Sequence, residues 1–329
     1  MIITRTPFRV SFFGGGSDLS AFYMSNQGAV LSTTIERYMY LSVHPYFDRD
    51  RIHLKYSRTE TVESVAELAH PIVRRVMERL GVKSGIEIAS TADIPAGTGL
   101  GSSSAFTVGM LHLLYAYLGR SVSPGTLAAE ASQIEIEDLG APIGKQDQYA
   151  SAYGGLNFIR FFSDETVDVT PLVISTDCRR RLQESLLMFF TGKQRSASAV
   201  LAEQKVALTS DDAKRQVMRD MVELAYRAKG LLENDDVEGF GRLLDRAWAL
   251  KRTITGSVST SLVDEMYQRA MSSGAWGGKL LGAGGGGFLL VAAPVAAHAA
   301  IREALSGSRE LPIQLDRGGS KVVYVSDGA

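Results

Sequence analysis

Little in this chain of 329 residues invites a specialised reading. It has one cysteine, Cys178, which excludes an internal disulfide, suits a reducing compartment, and reads as a small core hydrophobe. It has no excess charge. With 35 basic against 36 acidic side chains, nothing draws the protein as a whole to nucleic acid or an anionic membrane. It also has no long apolar run: the longest, around 287–300, contains Pro294 and falls short of the roughly 18 residues that suggest a membrane span. The five histidines show no metal-ligand spacing and no G-x-S-x-G elbow occurs, which sets aside zinc and serine-hydrolase chemistry. Repeats, low-complexity segments and a signal-peptide pattern are absent. The expectation is a soluble cytoplasmic protein with room for two domains and a small-molecule partner, as monomer or homodimer.

Glycine is plentiful, with 33 residues, and its most informative cluster is Pro95-Ala-Gly-Thr-Gly-Leu-Gly-Ser-Ser-Ser-Ala105. Upstream, Gly85 to Thr91 alternates like a half-buried strand; downstream, Phe106 to Leu118 reads as an apolar helix stopped by Gly119. Strand, glycine loop, helix is the build of a phosphate cradle. Glycines let the backbone approach a polyphosphate, and the free N–H groups of the helix start attract its charge. Gly97, Gly99 and Gly101 are the turn positions, and Ser102, Ser103 and Ser104 can reach a phosphate oxygen or Mg²⁺. The G-x-G-x-G spacing matches neither the Rossmann fingerprint nor the P-loop. A plain glycine turn with serine N-caps remains the alternative.

The first half alternates strands and helices, with a long strand over 30–46, a helix over 71–80 closed by Gly81, and a helix capped by Ser123 that runs to about Leu139. Strands are expected over 154–162 and 167–174. The second half reads as a strand over 186–190, a helical region over 196–273, strands over 277–281 and 288–292, a helix over 297–305 and a final strand over 321–325. That order suggests a split βαβ, ferredoxin-like arrangement with extra helices, and places the domain boundary near residue 175, giving 1–175 and 176–329. Asp147, in Ala141-Pro-Ile-Gly-Lys-Gln-Asp-Gln-Tyr149, reads locally either as a general base or as an N-cap. Glu135 and Asp138 share a helical face apart from Glu137, and alone would read as a solvated surface. The run Gly282, Gly284 to Gly287 exceeds what a hairpin needs and suggests close approach, to a ligand or between domains.

P-x-G-x-G-L-G-S-S-S-A resembles the second motif of the GHMP small-molecule kinases. Two further segments, Pro7-Phe-Arg-Val-Ser-Phe-Phe-Gly-Gly-Gly-Ser-Asp18 and Lys279-Leu-Leu-Gly-Ala-Gly-Gly-Gly-Gly-Phe288, resemble the first and third in the family's order. The resemblance implies an α+β, two-domain GHMP kinase-like fold: an N-terminal ribosomal-protein-S5-like domain and a C-terminal ferredoxin-like domain with extra helices. It implies ATP and Mg²⁺ as cofactors, with Pro95, Gly97, Gly99, Leu100, Gly101 and Ser102 to Ser104 at the nucleotide and Ser103 with Glu135 at the metal. Asp147 falls where the family keeps its catalytic aspartate, and Arg9 where it keeps an arginine that steadies the transferring group. Asp18 and the loop Gly14, Gly15, Gly16 fall at the acceptor, and Gly284 and Gly285 are placed there with them. Gly-Gly-Gly-Ser-Asp departs from the galactokinase form of the first motif, which puts galactose in doubt. Together with Gly28-Ala-Val-Leu-Ser-Thr-Thr34 and Thr191-Gly-Lys-Gln-Arg-Ser-Ala-Ser198, it resembles the branch that phosphorylates C1 of D-glycero-D-manno-heptose 7-phosphate. Such an acceptor needs a second cationic site, for which Lys193 and Arg195, or Lys251 and Arg252, are candidates. Another sugar 1-kinase, acting on fucose or a hexose, and a non-catalytic sensor on the same fold are the alternatives.

Overall fold

The opening residues alternate in burial and then, from Thr6 onward, are covered on both sides, as befits a strand between two layers. The computed structural model describes residues 1–193 and 197–326. Its first half contains β1 (Ile2–Phe13), α1 (Ser20–Tyr23), β2 (Gly28–Pro45), β3 (Ile52–Lys55), β4 (Thr59–Val62), α2 (Pro71–Leu80), β5 (Ile86–Ala92), α3 (Ser102–Tyr117), α4 (Pro124–Ser132), α5 (Gln146–Tyr153), β6 (Leu156–Phe161) and β7 (Val167–Pro171). The second half contains α6 (Thr176–Ser185), β8 (Leu186–Phe190), α7 (Ala197–Ser210), α8 (Asp212–Glu233), α9 (Val237–Arg252), α10 (Ser261–Ser272), β9 (Gly277–Leu280), β10 (Phe288–Ala292), α11 (His298–Ala304) and β11 (Lys321–Val325). Among the described residues no helix is long and apolar enough to cross a membrane.

β2 organises the larger sheet. One edge pairs with β1 along most of its 18 residues, while on the other edge Gly28–Thr33 pairs with β6 and Met39–Pro45 with β5. The helix α3 lies against β1 so closely that a Cβ on Gly109 would stand 2.7 Å from Thr6 Oγ1. Phe12 and Phe13 at the end of β1 both meet the edge of Phe240 on α9 at 5.2 Å, which packs the two halves into one buried cluster.

Three features differ from the sequence expectations. The final strand does not complete the C-terminal sheet: β11 pairs with β1, so the chain end returns to the N-terminal sheet. The segment before it explains why, since Ser320 bonds both Thr6 and His112 and Gly319 packs on Ala152, anchoring the chain beside the open edge of β1. The second sheet is β8-β10-β9, and its fourth position is taken only by a bridge between Phe189 and Glu310. The third difference is the Ser123-capped helix, which widens into a π segment over Gln133–Asp138. There Glu135 and Asp138 diverge, Glu135 turning inward and Asp138 pairing with Arg75 on α2.

Candidate active site

A cleft of about 1000 Å³ runs between the two halves, with the segment from Pro95 to Ser104 along one wall. Gly97, Gly99 and Gly101 all have left-handed φ, at 76°, 84° and 74°. The first bond of α3 is from Ala105 N to Gly101 O, so the N–H groups of Ser102 to Ser104 have no intrahelical acceptor. The serine-cap alternative fails here. Gly101 is the N-cap, no side chain caps the helix, and Ser103 Oγ donates to Glu135 Oε1 at 2.7 Å instead. Positive helix end, free amides and left-handed glycines together make an anion site.

The second glycine run buttresses the first. A Cβ on Gly282 would stand 2.6 Å from Gly99 Cα, and one on Gly287 would stand 2.3 Å from Thr98 O. Gly284 lines the cleft, whereas Gly285 points its N–H at Val258 O. The close approach between the two glycine loops is therefore present, and Gly284 is left facing the cleft.

Arg9 and Asp147 form a two-pronged ion pair. Nε donates to Oδ1 at 2.6 Å and Nη2 to Oδ2 at 2.7 Å. The remaining guanidinium nitrogen, Nη1, donates to Gly99 O at 2.6 Å, so one side chain ties the carboxylate to the glycine loop. Asp147 sits in the first turn of α5 without capping it, which disposes of the N-cap reading. Gly101 is glycine for this pair too: a Cβ there would lie 3.2 Å from both Arg9 Cγ and Asp147 Oδ2.

Glu135 is 3 % exposed and accepts from Ser103 and from Gln148 Nε2. Burial pushes its carboxyl above the ordinary range, and the nearby Asp147 charge adds to the effect. A hard cation next to Ser103 and Glu135 would relieve that cost. Mg²⁺ fits such a site, because it commonly takes one or two protein oxygens and leaves the rest to phosphate and water.

Asp18 is buried at the other end. It accepts from Gly16 N at 2.9 Å, Gln146 Nε2 at 2.8 Å and Gln146 N at 3.2 Å, and so holds the residue before Asp147. Burial, then the Asp147 charge, raises its pKa. Gly15 and Gly16 line the cleft; Gly14 does not, and is needed because a Cβ would lie 1.8 Å from Ala29 O. Lys251 and Lys279, both buried, also line it. Lys251 donates to Gly282 O at 2.7 Å, and Lys279 to Ser11 O and Phe12 O at 2.9 and 2.8 Å. Burial and the Arg9 charge lower Lys251 to about 8; burial, Lys251 and Arg9 take Lys279 well below the lysine range.

Two family models match the chain, the GHMP kinase N-terminal domain over residues 66–155 and the GHMP kinase C-terminal domain over 228–307. A mevalonate kinase of Methanothermobacter thermautotrophicus is 30 % identical over 225 residues, 68 % of this chain and 69 % of that protein. The chain belongs to the GHMP kinases. A D-glycero-alpha-D-manno-heptose 7-phosphate kinase of Campylobacter jejuni is 29 % identical over 299 residues, 88 % of each chain. Among solved structures, a D-glycero-D-manno-heptose 1-phosphate kinase from Bacteroides thetaiotaomicron superposes with TM-score 0.82 at 24 % identity, covering 99 % of this chain and 100 % of that one.

This GHMP kinase is a phosphotransferase acting on an alcohol group, and its site departs from the expected one in the cations. Lys193 is exposed outside the cleft wall, its carbonyl accepting from Gly287 N, and Arg195 lies outside the described residues. Arg252 pairs with Asp264 at 3.2 Å. The sequence reading also gave no role to Lys279 or Gln146, nor to the ring cluster Tyr56, His70 and Phe106 at the glycine-loop end of the cleft. His70 stacks on Phe106 at 4.9 Å, and burial lowers its pKa, which favours the uncharged ring. A neutral aromatic wall beside an anion site is suited to a nucleotide base. The three rings come from separate places, after β3, before α2 and within α3, so no local pattern in the sequence marks the cluster.

Proposed function

We propose that this GHMP kinase transfers the γ-phosphoryl group of ATP to the anomeric C1 hydroxyl of D-glycero-D-manno-heptose 7-phosphate, giving the 1,7-bisphosphate. The observation that carries the reading is the Arg9 fork, which joins Asp147 to Gly99 of the glycine loop. Asp147 takes the proton of the acceptor hydroxyl through a lone pair left free by the fork, the acceptor oxygen bonds phosphorus, and ADP leaves. Free amides of Ser102 to Ser104 hold the polyphosphate, while Pro95 enters the loop ahead of the glycines and the buried Leu100 anchors it between Gly99 and Gly101. Ser103 and Glu135 would hold Mg²⁺, which supplies neutralisation of phosphate charge. Arg9 keeps the carboxylate in place and presents positive charge where the transferring group passes.

The similarity to a heptose 7-phosphate kinase supports the choice of acceptor. Lys251 spends one hydrogen on Gly282 O and has two left for an acceptor phosphate. A 1-kinase for a free sugar is the second reading, favoured by the fact that Lys251 and Lys279 both already serve backbone carbonyls. An ADP-release screen over heptose 7-phosphate, free heptose, fucose and galactose decides. The proposal expects strong preference for the phosphorylated heptose; equal turnover of phosphorylated and free sugars hands the assignment to the second reading. The buried thiol of Cys178, pushed up to about 11 by burial, agrees with a cytoplasmic enzyme that needs no redox chemistry.

A further inference from the structure

Two polar atoms at the acceptor end are buried and have no hydrogen-bond partner among the described residues: Ser11 Oγ and Gln146 Oε1. Buried polar atoms are rarely left unpaired, because each forfeits its bond to water. Ser11 is 6 % exposed and, like Gln146, lines the cleft. Both flank Gly15. A Cβ there would lie 3.3 Å from Ser11 Oγ and 3.7 Å from Gln146 Oε1, so the absence of a side chain keeps the gap between them open.

The orientation of the amide is fixed by chemistry. Gln146 Nε2 donates to Asp18 Oδ1 at 2.8 Å, and turning the amide over would set Oε1 against that carboxylate. Oε1 therefore faces away from Asp18 and can only accept, while Ser11 Oγ can donate or accept. Ser11 lies two residues after Arg9 on the same face of β1, about 7 Å along the strand, and Gln146 directly precedes Asp147. The pair thus stands one sugar-ring span from the reacting end.

We infer that Ser11 and Gln146 form a subsite for one non-reacting hydroxyl of the acceptor, which donates to Gln146 Oε1 and accepts from Ser11 Oγ. An acceptor atom backed by the Asp18 carboxylate repels a phosphate oxygen and suits an O–H group, so this subsite fixes which end of the sugar enters first. The inference rests on the sugar-kinase reading and adds its orientation rule.

A mutant-and-analogue cycle tests it. Ser11→Ala loses no internal hydrogen bond, so its melting temperature should match or exceed the native value. Its KM for the acceptor should rise about five- to tenfold, the scale of one hydrogen bond, with KM for ATP unchanged. Gly15→Ala, whose backbone tolerates a side chain, should move acceptor KM the same way by narrowing the gap. Across the monodeoxy forms of whichever sugar the native enzyme turns over, one analogue should lose about the same factor in kcat/KM. Ser11→Ala should then treat that analogue and its parent alike. Unchanged acceptor KM in Ser11→Ala, or equal discrimination by native and variant enzyme for every analogue, overturns the inference; it would mean that Ser11 shares internal water with Ser32, its partner across β2. Absence of any sugar-dependent ADP release sinks the sugar-kinase reading and this subsite with it. Sugar-dependent release with a flat Ser11→Ala response sinks the subsite alone.

Discussion

At one end of the cleft the wall is mostly backbone, supplied by the segment from Pro95 to Ser104, all of which lines it except Thr98 and Leu100; at the other the wall is made of side chains from Arg9, Asp18, Gln146, Lys251 and Lys279, drawn from across the chain. The first end needs only a local conformation, left-handed glycines running into a helix start, and its chemistry is generic for polyphosphate. The second exists only when the halves pack: burial, and then the Asp147 charge, raises Asp18, while burial, and then the Arg9 charge, lowers Lys251. The contrast suggests a division of labour, with nucleotide binding written into the backbone and acceptor chemistry assembled by the fold. It can be broken by variants that move the wrong kinetic constant.

The largest effect is expected at Asp147. Asp147→Asn should lower turnover roughly 10²-fold or more, the scale for losing a positioned proton acceptor, with nucleotide affinity within about twofold of native. Near-native turnover, measured by coupled ADP assay, would remove Asp147 from the chemistry. Gly101→Ala probes the boundary between the two ends, since its Cβ would press on Arg9 and Asp147 from the glycine loop. Strain at its left-handed φ should cost about 1–2 kcal/mol of stability, and both KM for ATP and turnover should suffer. A change in only one constant would show that the ends are uncoupled there.

Glu135→Gln removes an anionic oxygen from the metal candidate and should raise the Mg²⁺ concentration for half-maximal activity by about tenfold. An unchanged Mg²⁺ titration would leave Glu135 with only its bonds to Ser103 and Gln148. Lys251 gives the smallest and most specific effect. Its folded pKa is about 8 against an ordinary 10.5, so between those values the unfolded chain holds a proton that the folded chain has released. Stability should therefore rise with pH across that window, and Lys251→Met should flatten the slope by at most about 1.4 kcal/mol per pH unit. Chemical denaturation at several pH values reads this, and identical slopes would show that Lys251 is not titrating near 8.

Legibility followed the same division. The glycine loop, the Ser123 cap and the extent of β2 were plain because each is a local pattern in period or turn chemistry. Asp147 was ambiguous because an aspartate near a helix start caps as readily as it reacts; the structure removes the cap and pairs the carboxylate with the distant Arg9, a partner no local pattern reveals. The π widening that turns Glu135 inward leaves no mark in a helical period, and β11 carries no signal of its partner, so both were misplaced or missed. Lys193 looked like a ligand cation because it stands beside a glycine, whereas the glycine serves the turn and the lysine faces solvent.

The central claim is that the Arg9–Asp147 fork directs the phosphoryl group to the anomeric oxygen of a sugar that already carries a phosphate. Phosphorus NMR of the product from ATP and heptose 7-phosphate tests it directly. The account predicts a second sugar phosphate resonance coupled to the anomeric proton. A new resonance coupled to any other sugar proton, or ATP consumption with no new sugar phosphate, would contradict it.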